Sequence, residues 1–149
     1  VSGRLAHAVV KTLDRAALLL GRVPKRAAHL RTGTSGEELA YFHLRTIGYT
    51  IVARNFQSPR RKGEIDLIGW NDGVLCFIEV KTRSTPQLAP AEVAVDHEKR
   101  RELRYVAREY LRRVHSKDGE PAYRFDVISV YLHESPPRFE LTKAAFAIR

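Results

Sequence analysis

The sequence predicts an α/β fold built on a mixed β-sheet, and three observations carry that expectation. A helical pattern closed by a glycine precedes three runs rich in Ile, Val, Leu and Phe. A long amphipathic helix then separates the third run from a fourth, a crossover that turns the sheet parallel at that point. The 149 residues amount to about one domain, with neither an internal repeat nor a low-complexity segment.

In chain order, a helix is expected from Gly36 to about Ile47, with Gly48 following its last turn. Ser35-Gly36-Glu37-Glu38 reads as a capping box, Ser35 as N-cap and Glu38 reaching back. Strands are expected at Thr50 to Asn55, Glu64 to Gly69 and Val74 to Thr82, each bounded by turn residues. A basic loop carrying Arg60, Arg61 and Lys62 joins the first two. A proline-punctuated loop, Ser84 to Pro90, leads to a helix over about Val93 to Val114. Its Leu103, Val106, Ala107, Tyr110, Leu111 and Val114 follow the spacing of a packed face. Tyr123 to Tyr131 is a further strand, and Arg138 to Thr142 a short last one after Pro136-Pro137.

Composition narrows the function. Lys and Arg number 26 against 17 Asp and Glu, a net charge of +9. That points to a polyanion, nucleic acid first and an acidic membrane surface second. No apolar run approaches the roughly 20 residues of a membrane span. A single cysteine, Cys76, excludes a disulfide framework and a cysteine zinc site, and reads as a buried thiol. A cytoplasmic setting is the expectation. The charge is uneven: residues 1 to 31 hold seven basic groups and one acid. Residues 1–32 are therefore set apart as a basic extension, open to reading as a nucleic-acid arm, a membrane-surface helix or a segment without function of its own. Residues 33–149 form the domain.

The chemical signal lies in Glu64 to Lys81. Asp72-Gly73 supplies a two-residue hairpin turn. Paired positions then sum to 145, which sets Ile68 against Phe77, Leu67 against Ile78, Asp66 against Glu79 and Glu64 against Lys81. Like charges directly opposite one another destabilise a strand pair. A hard divalent cation held by Asp66, Glu79 and the Val80 carbonyl would account for them; a hairpin whose charges simply face solvent is the other reading. On the first helix Glu37 falls at the border of the buried face, beside Leu44, while Glu38 points away with Arg45. On the long helix Arg100, Arg101, Arg104, Arg108 and Arg112 lie mostly outside the packed face, as a solvated surface or a binding one. Lys99 stands on the inward side near the helix start, and Asp126 reads as a structural strand acid.

An acid on the first helix, then Asp, then Glu-x-Lys on adjacent strands resembles the PD-(D/E)XK nuclease superfamily. The chain is more closely similar to the YraN-like family of bacterial proteins, predicted endonucleases distantly similar to archaeal Holliday-junction resolvases. Gly36-Glu37, Arg54-Asn55, Gly63-Glu-Ile-Asp-Leu-Ile68, Phe77-Ile-Glu-Val-Lys-Thr-Arg83, Lys99, Tyr110-Leu111 and Arg124-Phe-Asp-Val127 carry the likeness, over about residues 33 to 149. Ile65 stands where the superfamily's name has proline. The resemblance implies a restriction-endonuclease-like core, a central mixed sheet flanked by helices in the order αβββαβ. It implies Mg²⁺ or Mn²⁺ held by Asp66 and Glu79 with help from Glu37, and Lys81 orienting or deprotonating the attacking water. DNA, duplex or branched, is then the expected partner, and RNA the alternative. Arg60, Arg61, Lys62, Arg83, Lys99 and Arg100 are the expected nucleic-acid contacts, and the resolvase analogy extends to a homodimer. A non-catalytic nucleic-acid-binding module on the same fold is the competing reading.

Overall fold

The computed structural model describes residues 28–86, 95–114 and 119–147, the side chains of residues 28–34 excepted. The chain runs α1 (Ala28–Thr46), β1 (Thr50–Gln57), β2 (Glu64–Asn71), β3 (Val74–Arg83), α2 (His97–Val114), β4 (Tyr123–Tyr131), β5 (Arg138–Phe146). The strands form one sheet in the order β1-β2-β3-β4-β5. All neighbours are antiparallel except β3 and β4, which run parallel from Leu75–Tyr123 to Arg83–Tyr131. This is the α/β class expected, a five-stranded mixed sheet with two helices, consistent with a restriction-endonuclease-like core.

The helices cover opposite faces because the strand side chains alternate. Leu67, Cys76, Ile78, Ile128 and Val130 pack with Ala40 and Leu44 of α1. Ile68, Leu75, Phe77, Phe125 and Val127 pack with Leu103, Val106, Ala107 and Leu111 of α2. Every position expected on the packed face of α2 is thus buried or half-buried except Val114, which is exposed at the helix end. Cys76 is fully buried, and burial pushes its thiol up to about 12, the inert state expected of it. Among the described residues no helix is long and apolar enough to cross a membrane.

Three local expectations change. The first helix begins at Ala28, not Gly36, so Ser35 and Glu38 lie inside it and form no capping box. Its residues 28–32 belong to the segment set apart by charge; what residues 1–27 do lies outside the described residues. The end is as expected: Gly48, at φ +100, donates to Arg45 O at 3.3 Å and Tyr49 donates to Leu44 O at 3.0 Å, the paired bonds of a Schellman cap. The second helix begins at His97. Val95 and Asp96 precede it, and the Asp96 carboxylate accepts the Lys99 N–H at 2.8 Å as N-cap; positions 93 and 94 lie outside the described residues. The last strand continues four residues beyond Thr142.

Close approach of α1 to β3 explains a helical glycine. A Cβ on Gly36 would stand 2.0 Å from Thr82 Oγ1. Gly36→Ala is therefore expected to destabilise the protein by about 1–3 kcal/mol despite alanine's better helix propensity. Urea unfolding of G36A, T82A and the double variant checks this: T82A should recover most of the loss in the G36A background, and additive effects would show that the two residues do not meet.

Candidate functional site

The hairpin turn sets the register of the site. Asp72 and Gly73 both have positive φ, +52° and +77°, the type I′ geometry that suits strand twist. Pairing runs from Asn71–Val74 to Leu67–Ile78, each pair summing to 145 as expected. It stops there. Alternation from the turn makes Asn71–Val74, Gly69–Cys76 and Leu67–Ile78 the mutually bonded pairs, with Ile65–Val80 next in line. Instead the Val80 N–H donates to Asp66 Oδ2 at 2.7 Å. The Asp66 carboxylate takes the place of a backbone acceptor where the strands open. The expected facing of Asp66 on Glu79 and Glu64 on Lys81 is accordingly not part of the ladder. Glu64 turns to β1 and accepts from Gln57 Nε2 at 2.9 Å.

Beside this opening, Glu79 is 5% exposed on β3 and sits between two lysines. Lys81 Nζ is 3.0 Å from its Oε1, and Lys99 Nζ, in the first turn of α2, is 3.4 Å from its Oε2. The second contact is an ion pair without hydrogen-bond geometry, so the buried Oε2 accepts no hydrogen bond. Glu37 comes from α1, its carboxylate accepting from Asn55 Nδ2 at 3.2 Å. Asp66 feels three of these charges, those of Glu79, Glu37 and Lys99. Burial first, then the charge of Glu79, push its carboxyl up to about 7, with Glu37 adding to the rise while the Val80 N–H and Lys99 oppose it. The structure thus brings Glu37, Asp66, Glu79, Lys81 and Lys99 to one end of the sheet, from four elements.

The donor set has a definite shape. Among the described residues no three His, Cys, Asp or Glu side chains stand close enough to form a ready ligand cluster. Two carboxylates in mutual repulsion and a buried oxygen without a donor nonetheless fit a hard cation, for which oxygen ligands are the natural partners. A contrasting acid lies toward the hairpin end. Asp126 is fully buried and satisfied by Tyr49 OH at 3.0 Å, Arg124 Nε at 2.9 Å and the Ala144 N–H at 2.9 Å. It bridges a register shift between β4 and β5, the structural part expected of it.

The basic residues divide. Arg60, Arg61 and Lys62 are exposed on the β1–β2 loop, as a nucleic-acid contact requires. Lys99 belongs to the acid cluster instead. Arg100 is drawn inward: its Nε donates to Val95 O at 2.8 Å and its guanidinium lies over Phe146, so it secures the start of α2. Arg83 is half-buried at the end of β3, where its carbonyl accepts the Leu132 N–H at 2.9 Å. Asn55 has no role in the sequence-based site. Its signal was a residue of low strand propensity inside a strand, and its φ is +51°.

A small α/β protein with a partly buried acid–lysine cluster where two central strands part is the class that fold and site define. The chain belongs to the uncharacterised protein family UPF0102, the YraN-like family its motifs resemble, whose profile matches residues 36–130. That span includes every residue of the cluster. A UPF0102 protein of Koribacter versatilis is 55% identical over 125 residues, covering 84% of this chain and 85% of the relative. Relatives in Solibacter usitatus and Symbiobacterium thermophilum are 46% identical over 125 residues and 44% over 100; these cover 84% and 67% of this chain, and 92% and 81% of the relatives.

The raised Asp66 carboxyl has a signed consequence. Between about pH 4 and 7 the folded chain holds that proton while the unfolded chain has released it, so this contribution to stability falls as pH rises through the interval. Asp66→Asn keeps the acceptor for Val80 and removes the charge. In chelator, urea unfolding should show D66N gaining stability relative to the parent on going from pH 5 to pH 8; a constant difference would contradict the assignment.

Proposed function

We propose that this chain is a metal-dependent nuclease of the PD-(D/E)XK kind that hydrolyses phosphodiester bonds, with DNA, duplex or branched, as its substrate. The observation that carries the reading is the convergence of Asp66 and Glu79 beside Lys81, with one Glu79 oxygen buried and lacking a hydrogen-bond donor. Asp66, Glu79 and the Val80 carbonyl would hold Mg²⁺ or Mn²⁺, with Glu37 assisting from α1. Such an ion supplies Lewis-acid polarisation of the scissile phosphate and acidifies water for in-line attack.

The chain's own groups do the rest. Asp66 is oriented by the Val80 N–H, so its free oxygen has a set direction. Glu79 is held by Lys81 on one oxygen and balanced by Lys99 at the other. Lys81 is about a quarter exposed while its partner is buried, so its ammonium can reach a substrate phosphate and stabilise developing charge. Asn55 restrains Glu37. A non-catalytic nucleic-acid-binding module would keep the surface without needing these acids.

Incubation with branched and linear DNA, and with RNA, in Mg²⁺ or Mn²⁺ tests the reading. Cleavage should fall at least 100-fold in D66N, E79Q and K81A, whose folding is monitored in parallel. Mg²⁺ should raise the melting temperature of the parent more at pH 8 than at pH 5, because protons compete for Asp66. DNA binding without cleavage and without a Mg²⁺ shift identifies the binding module; RNA cut in preference to DNA corrects the substrate.

A further inference from the structure

The β1–β2 loop does not hang free of the body. Gly63, at φ +141°, brings its backbone against α2, where a Cβ would lie 3.0 Å from Val106 Cγ2 and 3.6 Å from Glu102 Cβ. Just before it, the Arg61 guanidinium lies 4.7 Å from the centre of the Tyr105 ring. Loop and helix together therefore wall an open groove of about 590 Å³. Arg61 and Lys62 line it from the loop, and Arg101, Arg104, Tyr105 and Arg108 from the helix. Its acids are Glu98 and Glu102, two against five cations.

We propose that this groove seats the sugar–phosphate backbone of duplex DNA and leads it to the acid cluster. The choice of nucleic acid as partner rests on the nuclease reading; the location and binding mode rest on the groove. A second opening of about 290 Å³ shares Arg61, Lys62 and Glu102 with the first and includes Lys99, the residue 3.4 Å from Glu79. The shared residues set the two openings side by side, and Lys99 ties the second, which also carries Glu64, to Glu79. Arg104 is engaged, its guanidinium donating twice to Ala147 O. Lys62, Arg101 and Arg108 have no ion pair among the described residues and remain for an incoming anion. Arg101 and Arg108 stand on the order of 10 Å apart along the helix axis, far enough to meet different phosphates of one strand. The binding mode follows from Tyr105. One face of its ring is met by Arg61, and the exposed His97 imidazole is the other ring of the lining, short of the run of open aromatic platforms on which single-strand binders stack successive bases. What it offers is charge directed at phosphates, the mode of duplex backbone contact.

The test is fluorescence anisotropy of the full chain with a labelled 20-base-pair duplex across a salt series in EDTA, where no cleavage occurs. R101E/R108E is compared with R54E, an exposed arginine beside Tyr41 of α1. The double variant should bind at least tenfold more weakly, with the log–log salt slope reduced by about two. R54E should keep the slope. R61A separates loop from helix and should weaken binding about threefold or more. Circular dichroism and melting confirm that each variant folds. Equal effects per charge at R54E and R101E/R108E, an unchanged slope in the double variant, or tighter binding of single strands than of duplex would each overturn the proposal. If the groove variants bind and cut normally while D66N is dead, the groove is wrong and the nuclease reading stands. If the groove variants lose binding but the parent never cuts, the groove stands and the nuclease reading falls.

Discussion

One hydrogen bond, from the Val80 N–H to the Asp66 carboxylate, holds the site open. Continued pairing at Ile65–Val80 would zip β2 to β3 through its whole length and leave Asp66 as a side chain on an ordinary hairpin. By accepting that N–H, Asp66 ends the ladder at Leu67–Ile78 and frees the end of β3. β3 then continues on its parallel partner β4 as far as Arg83. The parting strands expose an acidic notch without leaving the Val80 donor unsatisfied, which would be costly in a half-buried setting.

Everything around the notch follows from its charge. Asp66 and Glu79 repel, and burial removes the water that would screen them. The helices act in opposite senses: α1 meets β3 closely enough at Gly36 to bring Glu37 alongside and adds to the negative charge, whereas the Asp96 cap starts α2 so that Lys99 lies in its first turn and offsets it. The compensation is incomplete. Asp126 has a donor for each oxygen and acts as structure, whereas Glu79 keeps a buried oxygen without one. Within one small sheet, saturation distinguishes the acid that holds strands together from the acid left partly unsatisfied.

Element types and most strand positions were legible in the sequence because they depend on local rules. The Asp72-Gly73 turn set the register, and with it the sum of 145, by backbone twist alone. Gly48 marked the helix end for a similar reason. Helix starts were less legible. Ser35 has the chemistry of a cap but lies inside α1, because a run of residues can cap or continue according to what precedes it. Asp96 is masked as a cap by Val93-Ala94-Val95, an apolar run that extends the helical pattern ahead of it.

The fold class and the hairpin register were thus readable from the chain alone, and Glu37, Asp66, Glu79 and Lys81 stood out as a candidate set, all through spacing and short-range geometry. How those residues meet is a product of packing across the sheet. That packing ended the ladder one pair before Asp66, gave the inward-facing Lys99 its partner in Glu79, turned Arg100 inward to Val95, and enlisted Asn55. It also joined a loop and a helix some 40 positions apart into one basic groove. These depend on which atoms approach across the sheet and on where charge is left unscreened, and spacing along a chain does not encode either directly.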